Sequence, residues 1–536
     1  MEKNKLLLIP LFIGILLIIY SWWLSYPLSD NSVNDLVFYH VSVIYWISLP
    51  ILLTSMFMIA VTFKNVYLKW IMAVGIVITL YSLSYFYSMM PTIDSSYYRG
   101  LTEYFINTKN LTILPTSMDP DHYFQWPFFF ILAEIATSVS GLGLRNFEFL
   151  LYAVIGVLLS TTLFVYASKV FKNSGFLIAV AFFISLFLGF LNYQDAPFSL
   201  ALALLFVMFM LESRQKSGSQ IPIILVLFTS ISLIHAFVPL YFILYALMRS
   251  ILGKSKQYFN LFLLTLTIYL VTGITIAQFT FTENILKVIT APSDYSNIVT
   301  ATLGHLTISV PIQAISQIFS RTITISIVTV CVIGSILMLI KRKMRDIDKA
   351  IFLSGAVFLI AGAVSYSLGS RAIAIAFIPI SMGAVYLLES ARGRKFRPYL
   401  ISFFLILLSL FAFIPINNLI VTDFPIAFQT QESYTTANFM IEKYDWNTYS
   451  IILCHVNYGA YIYTQAKGNS LVRVDIDSNF NQSSNIENYD GIIYSVGMAK
   501  YLQTNNISVE ETSQLIIHSF NIVYNSGLSY IAEKPG

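Results

Sequence analysis

Apolar runs of about 15 to 22 residues recur along the first three quarters of the 536-residue chain, and each is long enough to cross a bilayer. Such a sequence constrains the fold severely, because backbone polar groups in hydrocarbon must be satisfied within the chain and only helices or closed barrels do so. The runs are Leu6–Leu24, 41–62, 68–88, 147–168, 175–192, 197–211, 221–235, 237–252, 258–279, 322–340, 349–366, 372–388 and 399–416. They predict an all-α polytopic membrane protein of about thirteen transmembrane helices. Charged residues make up only 11% of the chain and hydrophobic residues 57%, which excludes a nucleic-acid binder, a disulfide-rich secreted fold and a disordered scaffold. Cys331 lies in an apolar run and Cys454 in the polar tail, so neither a disulfide framework nor a thiolate metal site is expected. The first run follows Lys3 and Lys5 but ends in Tyr20-Ser-Trp22-Trp23 without a small-residue cleavage signal, so it is expected to remain as the first helix.

Basic residues set the orientation. With a cytoplasmic N-terminus, the inner loops hold Lys3, Lys5, Lys64, Lys69, Lys169, Lys172, Arg214, Lys216, Arg249, Lys254, Lys256 and clusters at 341–349 and 392–397. Outer segments before residue 417 hold only Arg99, Lys109, Arg145, Lys287, Arg321 and Arg371. The expected outer loops cover 89–146 and 280–321. Trp126–Gly143 is apolar enough to span, yet it contains Glu134, and no basic cluster holds its far end inside. Counting it as a span would invert every later loop, so it is expected to lie along the outer membrane surface.

After Asn417 the chain turns polar and acidic, with 11 Asp and Glu against 5 Lys and Arg. Short β-like runs (Ser450–Val456, Leu471–Ile476, Gly491–Val496 and Asn521–Tyr524) alternate with helix-like stretches near Tyr434–Tyr444 and Val509–Ser519. They predict a small C-terminal extracytoplasmic α/β domain over 417–536. Sequons at Asn110, Asn481 and Asn506 all fall in segments assigned outside.

Ionisable residues are nearly absent at mid-membrane depth, where an ion-coupled transporter concentrates them. They gather instead at the outer rim: Asp94, Tyr97, Arg99 and Glu103, then Asp119, Asp121 and His122, then Asp195, His235 at a helix break, and Arg371 at the head of a span. Carboxylates can hold a divalent metal (Mg or Mn) or take a hydroxyl proton, and an arginine can grip phosphate oxygens in a bidentate fork. Each of these residues also has an ordinary structural role open to it. Asp94 can cap a helix, Asp119 and Asp121 can form a polar turn, His235 can satisfy a broken helix, and Arg371 can snorkel to the interface.

At these residues the chain resembles the GT-C superfamily of membrane glycosyltransferases, which use lipid-phosphate-linked sugars. Asp94-Ser-Ser-Tyr-Tyr-Arg-Gly-Leu-Thr-Glu103-Tyr-Phe is similar to that family's first-loop motif. Gln125-Trp126-Pro127-Phe-Phe-Phe, followed by Ser140-Gly141-Leu142, is similar to the juxtamembrane helix of its aminosugar and protein mannosyl transferases. Asp195-Ala-Pro-Phe-Ser-Leu resembles the acidic turn that opens a later core helix in oligosaccharyltransferase catalytic subunits. The resemblance implies extra N-terminal helices over 1–66, a catalytic core over 67–416, and transfer of a sugar from a polyprenyl-phosphate donor to an extracytoplasmic glycan, lipid or protein acceptor. It implies Asp94, Asp195 and Glu103 as catalytic residues, with Asp94, Asp119, Asp121 and Asp195 as metal ligands. Arg371, His235, His122, Arg99 and Tyr97 would contact substrate. The tail departs from the oligosaccharyltransferases in lacking their Trp-Trp-Asp acceptor motif, since its only tryptophan is Trp446, and this favours single-sugar transfer. A multi-pass transporter or lipid flippase, and a non-catalytic scaffold, are the alternatives.

Overall fold

The fold is described from a computed structural model. It covers residues 6–25, 42–81, 101–103, 105–106, 126–170, 197–213, 220–276, 332–340 and 345–364, positions 375, 383, 386 and 439, and the strand residues 451–454, 473–476, 491–494, 521–525 and 530–533. Among the described residues the main helices are α1 (Leu8–Ser25), α2 (Val43–Thr62), α3 (Val66–Tyr81), α4 (Phe128–Ser140), α5 (Leu144–Val170), α6 (Pro197–Glu212), α7 (Ile221–Ile234), α8 (Val238–Gly253), α9 (Lys256–Thr275) and α10 (Asp346–Val364). Each except α4 falls on an apolar run, and α4 occupies the segment expected to lie along the membrane surface. By length and composition α2 and α9 can each cross a membrane; most of the others are shorter apolar helices.

α6 is the axis of the bundle. Phe198, Ser199, Leu200, Ala201, Leu202 and Ala203 are consecutive and so point in every direction around it, yet all are buried, as expected of a helix enclosed on every side. α5, α7 and α8 pack against it, and α9 and α10 pack in turn against α8. The central aromatic cluster joins Phe209 to Tyr241, Phe242 and Tyr245, with ring centroids 5.0 to 6.1 Å apart. Buried hydroxyls are satisfied without water: Ser232 and Thr265 donate to the Phe228 and Leu261 carbonyls one turn back. The outward faces are apolar instead, with Phe12, Val226, Ile274 and Ile360 exposed. A bundle with this surface belongs in lipid.

Gly334 permits a close helix contact. A Cβ on Gly334, in the helical stretch 332–340, would collide with the backbone carbonyl of Gly383. α4 ends at Gly141, whose φ of 67° closes the helix with its N–H on the Thr137 carbonyl. The helix buries Phe129, Phe130 and Ala133, while Ile135 and Val139, one turn apart on the other side, are exposed, Val139 by 83%.

In the tail, strands β1 (Ile451–Cys454), β2 (Arg473–Ile476), β3 (Gly491–Tyr494), β4 (Asn521–Asn525) and β5 (Tyr530–Glu533) form one sheet in the order β2-β1-β3-β5-β4. β1 is parallel to β2 and β3, whereas β5 pairs antiparallel with β3 and β4. The first four strands fall on the β-like runs, and β5 adds a strand that alternation did not single out. Ile492 on β3, which pairs with Ala532, and Ile531 on β5, which pairs with Ile493, are fully buried. Of the two helix-like stretches in the tail, only Phe439 lies among the described residues, and it is helical.

Candidate functional site

The end of the bundle at which α6 begins is built around a break between α7 and α8. α7 stops at Ile234, and Pro239, in the first turn of α8, has no N–H to lose there. His235 spans the break in an extended conformation (φ −153°, ψ 138°), with its backbone N–H on the Ile231 carbonyl at 3.0 Å. Its side chain turns back on the chain: Nδ1 accepts the backbone N–H of Phe237 at 3.1 Å. The imidazole meets Phe198 edge-to-face at a centroid distance of 5.2 Å and lies 6.0 Å from the ring of Phe237. From α9, Tyr269 Oη donates to the Ala236 carbonyl at 2.9 Å and fixes the turn from behind. α4 packs on α7 and α5, so the surface helix is attached to the same framework.

This geometry brings His235 to the first turn of α6, the helix introduced by Asp195. Phe198 follows Asp195 by three residues, a chain length of at most about 11 Å. Glu103 is the other site residue within the described set. It sits in a helical stretch beside Leu101, Thr102 and Phe105, all buried, and Leu101 and Phe105 join the hydrophobic core. Its own side chain is partly exposed. Asp94, Tyr97, Arg99, Asp119, Asp121, His122, Asp195 and Arg371 lie outside the described residues. Among the described residues there is no group of three or more His, Cys, Asp or Glu able to hold a metal ion.

The opposite end of the bundle holds a polar network that the sequence did not disclose. α6 rises about 1.5 Å per residue, so Glu212 lies about 21 Å along the axis from Phe198. Glu212 Oε2 accepts Tyr258 Oη at 2.5 Å and Tyr245 Oη at 3.5 Å, joining α6 to α9 and α8. Arg249 stacks over the Tyr258 ring at 5.0 Å and reaches Asp346 at 3.7 Å. Asp348 is 1% exposed and accepts from Tyr166 Oη at 2.7 Å, from Arg345 Nε at 2.9 Å and from Arg345 Nη2 at 3.1 Å. Burial acts most strongly on Arg345 and favours its neutral form, yet the hydrogen bonds and charge of Asp348 outweigh it and raise its pKa above the ordinary value. Lys169 completes the set with a 3.4 Å hydrogen bond to Ser213. Read from sequence, the 341–349 cluster is only a topology signal. The one clue to a further role is Asp348, an acid inside a basic run at the head of an apolar segment.

No protein-family model and no curated protein matches the chain. Solved structures do. The Archaeoglobus fulgidus oligosaccharyltransferase crystallised with zinc and sulfate is 12% identical, covering 87% of this chain and 73% of that one, with a TM-score of 0.53. Its apo form is 13% identical over 88% of this chain and 75% of that one, with a TM-score of 0.51. ArnT from Cupriavidus metallidurans in the apo state is 10% identical, covering 87% of this chain and 98% of that one, with a TM-score of 0.47. Along most of its length the chain therefore shares the fold of the Archaeoglobus fulgidus oligosaccharyltransferase.

Proposed function

We propose that the protein is a glycosyltransferase that moves a sugar from a polyprenyl-phosphate donor to a glycan, lipid or protein acceptor on the extracytoplasmic face. The observation that supports this most is the oligosaccharyltransferase-like fold over 87% of the chain. A fold alone does not specify chemistry. Here it coincides with acidic motifs at Asp94 and Asp195 of the kind that fold carries, and α6 begins two residues after Asp195 in the sequence.

In the reaction, the bond between the anomeric carbon and the phosphate oxygen breaks and a bond to the acceptor oxygen or nitrogen forms. Asp94 takes the acceptor proton, with Asp195 and Glu103 as its catalytic partners. The lipid phosphate leaves with the bonding electron pair, and Arg371 stabilises its charge with the help of His235, His122, Arg99 and Tyr97. Positive charge preorganised at a leaving group is worth several kcal/mol in the transition state. Asp94, Asp119, Asp121 and Asp195 offer hard oxygen donors suited to Mg or Mn, which would supply Lewis-acid charge at the phosphate. The fold neighbour crystallised with zinc and sulfate, a divalent metal and a tetrahedral oxyanion, is consistent with that chemistry.

The chain would cross the membrane about thirteen times, with a cytoplasmic N-terminus, a core over 67–416 and an extracytoplasmic α/β domain over 417–536. The polar network fits this orientation. It collects the end of α5, the end of α6, the end of α8, the start of α9 and the start of α10, all of which basic residues assign to the cytoplasmic side. A flippase would have to open that side, against hydrogen bonds that tie α5 to α10 and α6 to α8 and α9.

The test is transfer by the purified full chain in lipid, using radiolabelled polyprenyl-phosphate sugars with and without chelator. Asp94→Asn should abolish transfer while leaving expression and folding intact. A fully active Asp94→Asn protein would refute the assignment of the base.

A further inference from the structure

The α8–α9 turn, at the opposite end of the bundle from the start of α6, gathers cations above an apolar face. Lys254 and Lys256 flank Ser255 there; both are exposed, and neither makes an ion pair among the described residues. Lys254 takes up a left-handed conformation (φ 47°, ψ 39°) that favours glycine, although Gly253 stands one residue before it. Arg249 lies beneath the turn: its guanidinium stacks over Tyr258 at 5.0 Å, and a Cβ on Gly253 would stand 3.3 Å from its Nη1. The acids nearby are already engaged. Asp346 reaches Arg249 at 3.7 Å and Lys349 at 3.3 Å, and Glu212 accepts from Tyr258 and Tyr245. Along α9 from Lys256, the side chains of Phe259, Leu263, Leu270 and Ile274 are exposed. At about 100° per residue, these four and Lys256 fall within a sector of about 60°, so the lysine heads a lipid-facing stripe. Phe259 and Leu263 lie about 4.5 and 10.5 Å along the axis from it, within one leaflet of a hydrocarbon core about 30 Å thick. Cations over such a stripe match a molecule with a phosphate at its head and hydrocarbon below it. We propose that the α8–α9 turn holds the phosphate of an anionic phospholipid between Lys254 and Lys256, with Arg249 behind them and an acyl chain along Phe259 and Leu263. The site is separate from the proposed reaction and stands or falls without it. A pure topology signal needs the positive charges, but neither their place at the head of the stripe nor a lysine in the left-handed region.

The full chain in detergent is titrated with phosphatidylglycerol and, separately, with phosphatidylcholine of the same acyl chains, and bound lipid is counted by native mass spectrometry. The wild type should take its first phosphatidylglycerol about ten- to thirtyfold more tightly than phosphatidylcholine, and Lys254→Gln combined with Lys256→Gln should lose most of that preference. Lys254→Gly relieves the backbone and removes the charge together, so it should melt higher than the wild type while its preference falls about three- to tenfold. Lys64→Gln combined with Lys69→Gln takes the same charge from the α2–α3 turn, and it should stay within about twofold of the wild type because distant exposed charges are screened. An equal loss in that control would show that bulk surface charge selects the lipid, and would overturn the site. A wild type without preference, or a Lys254→Gln/Lys256→Gln protein that keeps it, would overturn it as well. Millimolar inorganic phosphate should leave the lipid bound; displacement would assign the turn to a free anion and overturn the lipid as its ligand.

Discussion

Replacing Asp348 with alanine should weaken the bundle by an amount that follows from its contacts. Asp348 is buried and takes hydrogen bonds from two chemically different donors. Arg345 is 43% exposed on its side chain, so once released it turns to water and its loss counts for about 0–1 kcal/mol. Tyr166 cannot do the same. Its ring is buried in α5, and an orphaned buried hydroxyl costs about 1–3 kcal/mol. The sum is about 1–4 kcal/mol, most of it arising at Tyr166. Tyr166→Phe should therefore cost much less than Asp348→Ala, because it removes the hydroxyl together with its unmet demand. The double variant should fall short of the sum of the singles by about 1–2 kcal/mol, above the roughly 0.6 kcal/mol average for side-chain hydrogen bonds between membrane helices, because the acceptor here is charged. Thermal or denaturant unfolding of the four proteins in one detergent gives the cycle. Additive effects, or an Asp348→Ala protein within about 0.5 kcal/mol of wild type, would show that the Tyr166–Asp348 contact does not join α5 to α10 energetically.

Other consequences can be checked by similar means. Glu212→Ala strands two tyrosine hydroxyls and should lower stability by about 2–4 kcal/mol in unfolding experiments, whereas Glu212→Gln should lose less than half of that. Gly334→Leu forces a side chain into the Gly383 backbone and should prevent recovery of a monodisperse protein, with Gly334→Ala destabilised by about 1–3 kcal/mol; a wild-type melting curve for either would refute the close approach. Arg371→Lys keeps the charge but loses the planar fork, so transfer should drop with a larger effect on kcat than on KM if the contact strengthens as the phosphate leaves.

How far the sequence reveals the molecule differs from one level to the next. Apolar runs mark helices because burial in lipid leaves no other backbone solution, and α2, α5, α7, α8 and α9 lie where their runs do. The segment expected to lie along the membrane surface, because Glu134 and the missing basic cluster make a span unfavourable, forms the helix α4, which exposes Ile135 and Val139 while burying Phe129 and Phe130. α10 starts at Asp346, ahead of its apolar run, because Asp348 accepts the Arg345 N–H and pairs with its side chain, a local contact that hydropathy does not register. The partnership of Tyr166 and Asp348 could not be read at all, since 182 residues separate them and either one alone looks ordinary. β5 was passed over because Tyr530-Ile-Ala-Glu533 is a four-residue strand with polar neighbours, fixed by its pairing between β3 and β4 more than by its own pattern. At the site, the helix break at His235 was legible from the two short apolar runs beside it. The capture of Nδ1 by the Phe237 amide is a matter of backbone geometry and was not.

The central claim is that carboxylates from separate loops meet beside the start of α6. The direct measurement is a pulsed electron-spin distance between labels at positions 94 and 195, in a full-length protein whose two native cysteines, Cys331 and Cys454, have been replaced by serine. The account predicts one narrow distance, well below the hydrocarbon thickness of about 30 Å. A distance equal to that thickness or longer would place the two aspartates on different sides of the membrane and contradict it.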